Sequence, residues 1–314
     1  MAKIRWGVAL LAVLATACGS GPAPDAAPLD LSGVVLLQDQ DDPHLDEIVF
    51  ADPATGAVKT VLPLPGRDTS LHRLGEPTSK LDLVSPDGQY ATLDTGEGVE
   101  VFRLDTAERR YERTAVVPNP GQGARFRNPK FGRTGSKLFF DDGKAVYSVD
   151  YRQLGAPAKE ATLAPDGYAR DWWLSAEDEV LTWQDAKHAG DGFSYLAGAS
   201  GAIAYAVYDE PGATYDFVAA LDATTVLLSA ATGTAEHGVL VRLHLDNGKP
   251  QLTKLVERSE PRILKAAAAP DRTTVLYQTA EGEFFASPVT PGAVARPALP
   301  QLPPAAGRQL VGWA

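Results

Sequence analysis

The sequence predicts an all-β protein built from a repeated unit. Three observations point there. Short runs rich in Val, Thr, Tyr and Phe alternate with polar residues. The 29 glycines and 24 prolines gather between those runs. After residue 18 no stretch keeps a helical period.

The N-terminus is read separately from the fold. Lys3 and Arg5 form a short basic segment, and Trp6 to Ala17 follow as twelve uncharged residues. That is too short to span a bilayer, which needs about 20 apolar residues, and it reads as a signal peptide over residues 1–17. It ends Leu14-Ala15-Thr16-Ala17-Cys18, a lipobox-like sequence in which the Cys18 thiol accepts a diacylglycerol before cleavage. A common lipobox has Leu where Ala15 stands. Cys18 is the single cysteine of the chain, so no intramolecular disulfide competes for it. The alternative is an ordinary secretory signal with an incidental cysteine nearby. Residues 18–31 then read as a lipidated cysteine and a flexible tether rich in Pro, Ala and Gly. Thirteen such residues reach up to about 40 Å at about 3.3 Å each.

Removing residues 1–17 takes away two basic and no acidic residues, moving the formal charge from −11 to −13. That argues against nucleic acid as a partner and against a polybasic membrane patch.

Residues 32–314 carry the repeat. In Leu81–Leu104 an apolar run enters the turn Ser85-Pro86-Asp87-Gly88, followed by a strand at Gln89–Leu93, an acidic loop and a strand at Val99–Leu104. Turns at Gly132–Gly135, Ser175–Asp178, Leu221–Thr224 and Ala269–Arg272 open equivalent units. Their steps of 47, 43, 46 and 48 residues suit one four-stranded propeller blade, which takes about 40–50 residues. The expected second strands are Lys137–Phe140, Val180–Trp183, Val226–Ser229 and Thr274–Gln278. Fourth strands are weaker, at Arg113–Val117, Glu160–Leu163, Ala202–Val207, Gln251–Val256 and Ala293–Leu299. The first repeat starts late: Val34–Leu37, Glu47–Ala51 and Ala57–Leu62 supply three strands, and Arg308–Trp313 is a strand without a blade. The expectation is a six-bladed β-propeller, its ring closed when the C-terminal strand at 308–313 joins blade one. Closure would also remove exposed sheet edges.

The Ser-Pro-Asp-Gly turn, followed by a strand and then by Val101-Phe-Arg-Leu-Asp105 or Val146-Tyr-Ser-Val-Asp150, resembles the TolB-like family of propeller repeats. The match is sharp at Ser85–Gly88, partial at Ala269–Asp271 and degenerate elsewhere. The resemblance implies a propeller in the cell envelope that serves as a binding platform.

Candidate binding residues lie where the chain enters each first strand. These segments carry His72 and Arg73, Arg125 and Arg127, Arg170 and Asp171, Tyr215 and Asp216, Arg262, and Arg308. Five of six blades thus bring arginine to one mouth of the central channel, where its planar fork suits carboxylate or phosphate. The structural alternative is pairing with Asp41, Asp94, Asp141, Asp142 or Asp185. Trp172 joins the candidates as an aromatic of blade four, with Trp173, Trp183, Phe193 and Tyr195 nearby; packing between blades is the competing role. The loop Asp39–Glu47 is dense in hard oxygen ligands but lacks the spacing and glycine of a calcium-binding EF-hand. The five histidines, at 44, 72, 188, 237 and 244, have no zinc spacing, and no nucleophile elbow or phosphate loop occurs.

The reading is therefore a lipid-anchored, extracytoplasmic and non-catalytic platform for an envelope protein, peptide or anionic ligand. It is expected to be a monomer without cofactor or metal. It would stand on the outer face of a plasma membrane, or in the periplasm of a two-membrane cell. A hydrolase or lyase on the channel face, and a small-molecule sensor or carrier, are the alternatives.

Overall fold

The computed structural model describes residues 28–38, 46–64, 82–163, 172–175, 177–184, 263–279, 281–290, 293–302 and 308–314, and between 185 and 262 the strands, given below. From 183 to 262 it describes backbones, and of the side chains there only Leu227. The described residues form strands and turns, with no helix.

Strands run antiparallel in meanders. β1 (Val34–Gln38), β2 (Glu47–Ala51) and β3 (Val58–Pro63) are followed by β4 (Tyr90–Asp94), β5 (Gly98–Asp105) and β6 (Arg110–Pro118). Next come β7 (Arg127–Phe131), β8 (Lys137–Asp141), β9 (Ala145–Asp150) and β10 (Ala158–Thr162). The fourth group is β11 (Trp172–Leu174), β12 (Val180–Gln184), β13 (Phe193–Gly198) and β14 (Ile203–Tyr208). The fifth is β15 (Ala213–Asp222), β16 (Thr225–Thr232), β17 (Val239–Asp246) and β18 (Lys249–Glu257). The last comprises β19 (Ile263–Ala268), β20 (Thr274–Thr279), β21 (Phe284–Pro288) and β22 (Arg296–Pro297), before the terminal β23 (Arg308–Trp313).

These strands make five four-stranded sheets and one three-stranded sheet. The first sheet has the order β23-β1-β2-β3, so the C-terminal strand supplies the inner strand of the N-terminal sheet. Its register pairs Val34 with Trp313 and Gln38 with Arg308, with a bulge at Val35/Leu36. Beyond the strands, Gly33 and Ala314 exchange two backbone hydrogen bonds of 2.9 Å. They occupy the place where the other sheets have a covalent turn.

The three-stranded sheet is β4-β5-β6. The apolar run expected to be its inner strand is reduced to one bridge, Val84 with Ala91. Asp82 interrupts it with a left-handed φ of 63°. Its backbone serves the neighbours instead: Asp82 N–H donates to Val311 O at 2.8 Å, and its carbonyl accepts from Phe131 N–H at 2.9 Å. The outer strand expected at Ala293–Leu299 shrinks to Arg296–Pro297. The remainder packs on the first sheet, where Leu299 is buried beside Val34, Leu36 and Val49.

Alternation along each strand distributes side chains between two interfaces. Val34 and Leu36 pack with Leu276, Ala267 and Leu310 toward the last sheet. Val35 and Leu37 pack with Leu83, Leu93, Phe102 and Tyr111 toward the β4-β5-β6 sheet. Leu138 and Phe140 meet Val99 and Val101 on one side, whereas Phe139 meets Trp172 and Val180 on the other. Sheets covered on both faces read as continuous apolar runs, which is why β1 is buried at four consecutive positions. Burying one such Leu or Phe stabilises the fold by about 1.5–3 kcal/mol, so the interfaces between sheets are its main cohesive element.

Candidate functional site

The inner strands end in turns that share one geometry. At Ser85–Gly88 the Ser85 hydroxyl donates to Asp87 at 2.6 Å and accepts from Tyr90 N–H at 2.9 Å, while Gly88 N–H donates to Ser85 O at 2.8 Å. Ala269–Arg272 repeats it, with Arg272 N–H on Ala269 O and Ala269 N–H on Thr274 O, both at 2.8 Å. The Asp271 carboxylate accepts from the Thr273 backbone N–H and hydroxyl, which hold its pKa below the usual value. The Gly132 turn is clasped from the next sheet. Asp178 accepts from the N–H groups of Arg133 and Thr134 and from the Thr134 hydroxyl. A Cβ on Gly132 would lie 2.7 Å from that carboxylate, so the clasp requires glycine there.

Between these turns the structure opens a cleft of about 310 Å³. Val35, Gly312, Trp313 and Ala314 come from the first sheet and its seam; Asp82, Val84 and Pro86 from the interrupted strand; Phe131, Arg133 and Thr134 from the end of β7; and Ala267, Ala268, Pro270 and Arg272 from the end of β19. Its side chains carry two guanidinium groups and one carboxylate, with the Arg133 guanidinium 3.8 Å from Asp82. Seven non-glycine residues have positive φ among the described residues, and two of them, Asp82 and Arg272, line this cleft. Left-handed non-glycine backbone is costly and concentrates at functional sites, so this coincidence marks the cleft.

The N-terminal segment docks on the same end of the molecule. Leu29 and Leu31 pack on the core between the first two sheets. Asp30 holds the Ser32 backbone N–H and hydroxyl, pairs with Lys59 at 3.2 Å, and accepts from Thr60 through its carbonyl. Leu31 sits directly on Gly88, whose φ is +68° and where a Cβ would approach Leu31 Cβ to 2.9 Å. The last residues assigned to the tether are thus seated on the turn of the sharpest repeat. A shallow groove beside them shares Pro86 and Ala314 with the cleft.

Of the arginines singled out in the sequence, Arg125, Arg127 and Arg308 lie at the opposite ends of the inner strands. Arg125 is exposed. Arg127 Nε donates to Asp141 at 2.9 Å, which is the structural role considered above. Asp141 is fully buried and also accepts from Asn128, from Gly143 N–H and from the Trp172 indole N–H. Trp172, proposed as a ligand contact, is 1 % exposed and belongs to the packing between the third and fourth sheets. Lys130 lies 4.6 Å over its ring and donates to its carbonyl at 2.9 Å. Arg308 is half-buried and donates to Gln38 at 2.9 Å, and burial lowers its pKa. Arg73, Arg170 and Arg262 lie outside the described residues, as do Cys18, residues 39–45 of the acidic loop and His188. Sequence reasoning missed Arg133, Arg272, Asp82 and Trp313. One signal was available: Arg272 occupies the fourth turn position, where Ser85–Gly88 has glycine.

No protein-family model matches the chain, and no curated protein matches it in sequence. Solved structures do. A hypothetical selenium-binding protein from Sulfolobus tokodaii superimposes with a TM-score of 0.55 at 10% identity, over 86% of this chain and 74% of that one. The chain is a β-propeller. Lower similarity extends to a protein described as TolB from Agrobacterium tumefaciens, with a TM-score of 0.44 at 14% identity over 62% of this chain and 67% of that one. An oligogalacturonate lyase from Vibrio parahaemolyticus has a TM-score of 0.44 at 8% identity, over 85% and 84%. At these identities the likeness of the propeller to its neighbours is one of fold.

Proposed function

We propose that this propeller is a non-catalytic, lipid-anchored binding platform of the cell envelope, and that a protein or peptide partner engages it at the cleft between the turns. The observation that carries the reading is the cleft itself, an opening of about 310 Å³ to which several sheets contribute arginine, aspartate and indole side chains. The same reading takes the six sheets as six blades in a ring closed by β23. The 43–48-residue repeat and the β1–β23 register support it. Anchoring rests on the signal-like residues 1–17 and on Cys18.

Docking of Leu29 and Leu31 beside the cleft adds a geometric consequence. Nine residues lie between Cys18 and Pro28, a reach of at most about 35 Å, so the cleft would stand on the side of the bilayer. A slender partner suits that gap better than a broad one. The test has two parts. Cys18→Ala should move the protein from the membrane to the soluble fraction. The mature domain should retrieve a partner from envelope extract that Trp313→Ala fails to retrieve. Retention of Cys18→Ala in the membrane, or equal retrieval by Trp313→Ala, contradicts the reading.

A further inference from the structure

Pro28 brings the N-terminal segment to the edge of the cleft. It lines the shallow groove that shares Pro86 and Ala314 with that cleft, and the groove continues along Leu29, Leu31 and Ser32. Leu29 and Leu31 pack on the core, and Asp30 bonds to Lys59 and Thr60, so the position of Pro28 is set by its neighbours in the chain. The residues before it, Gly19-Ser-Gly-Pro22-Ala23-Pro24-Asp-Ala-Ala27, lie outside the described residues. Pro24 is four residues from Pro28, so the chain holds it within about 14 Å of the groove. Pro22 and Pro24 also bias Gly21 and Ala23 toward extended, polyproline II backbone.

We infer that Pro22-Ala23-Pro24 occupies the cleft as an intramolecular ligand, so that a partner gains the site only by displacing the tether. This rests on the binding-platform reading for the partner and names how that same site is regulated. Three features support it. The lining carries no net charge: Arg133 and Arg272 are balanced by Asp82 and the Ala314 α-carboxylate, which suits an uncharged segment rather than an ion. Trp313, Phe131, Pro86 and Pro270 are among its walls, and aromatic-lined grooves take polyproline II segments, whose preformed backbone loses little entropy on docking. Such a segment leaves its carbonyls free for a donor, and Trp313 supplies an indole N–H. A volume of about 310 Å³ lies at the low end of the roughly 300–1,000 Å³ of ligand clefts, which suits a few small residues better than a large cofactor. Attachment through Pro28 gives the segment an effective concentration in the millimolar range, about that of a short linker, so weak contacts suffice. With Pro22 in the cleft, only four residues separate it from Cys18, a reach of about 14 Å. Displacement by a partner thus also frees the full length of the tether.

The experiment uses the mature chain carrying Cys18→Ala, which removes the one native thiol, together with Ala23→Cys and Pro270→Cys. A disulfide needs Cα atoms about 4.4–6.8 Å apart. In a glutathione redox buffer the effective concentration of this pair should be at least tenfold higher than in the same protein with Pro22→Gly and Pro24→Gly. Ala23→Cys with Arg125→Cys, at the far end of the inner strands, should give no disulfide. Equal effective concentrations with and without the two prolines reduce the contact to the nearness of a tethered chain and overturn the inference, leaving the platform reading standing. A second variant keeps the cleft unaltered: p-benzoylphenylalanine in place of Ala23 should form intramolecular adducts within residues 267–272 or 312–314. Adducts confined to other residues overturn the inference. Retrieval from envelope extract addresses the competition. Pro22→Gly with Pro24→Gly should raise the yield of partner severalfold, and an unchanged yield overturns displacement of the tether by the partner. Trapping in the cleft with no partner retrieved by either protein contradicts the platform reading, while the seat of the tether stands.

Discussion

Tyr111 shows how single residues hold the repeat to its turn. It is fully buried in β6, and its hydroxyl donates to the Gly88 carbonyl at 2.8 Å. Burial pushes its pKa well above that of an ordinary phenol, so it stays a donor throughout the physiological range. Tyr111→Phe leaves the buried Gly88 carbonyl without this donor and should destabilise the protein by about 1–2 kcal/mol in urea denaturation. Asp30 plays a corresponding part for the docked N-terminal segment. Hydrogen bonds from the Ser32 hydroxyl and N–H, helped by Lys59, lower its pKa below the ordinary 3.8. A depressed pKa means that the folded state favours the carboxylate. The contribution of Asp30 is therefore present above pH 3.8 and is lost as pH falls through the lowered value. Carboxyl titration by NMR should give Asp30 a midpoint below that of the same residue in a peptide of residues 26–34. An equal midpoint contradicts the docking.

At the scale of elements, the inner strands reveal what the sequence could and could not convey. β23 was legible because Arg308–Trp313 reads as a strand and had no blade of its own. β7 and β19 were legible because a turn signal closes each. The segment at 81–84 has a similar pattern, yet pairing stops at Asp82, whose backbone is shared between Val311 and Phe131. Only tertiary neighbours set that competition, and no local pattern carries it. The site was less legible for a related reason. Arginines at strand entrances stand out in a sequence, but Arg127 is committed to Asp141 and Arg308 to Gln38. Arg133 and Arg272 sit in turns, where charge is ordinary, and only φ and position separate them from solvated surface. The seam yields a direct prediction. Val311 is fully buried among apolar neighbours, and Val311→Asp would bury a charge there at a cost above about 3 kcal/mol. Such a variant should lose the cooperative thermal transition, whereas a wild-type-like transition would show that β23 is dispensable.

For the whole molecule, the arrangement separates two ends of the inner strands. One end carries the buried Asp141 network with Trp172 and Lys130, a clasp between sheets. The other carries the cleft, two strained residues and the docked N-terminal segment. Cohesion and proposed recognition thus fall at opposite ends, and Arg127 and Arg308, conspicuous in the sequence, lie at the end that serves cohesion. The most direct test of the account is site-specific photo-cross-linking in intact envelopes, with p-benzoylphenylalanine in place of Pro270 at the cleft or of Arg125 at the far end. The account predicts an adduct with an envelope protein or peptide from position 270, with none from position 125. An adduct from position 125 with none from position 270 would contradict it.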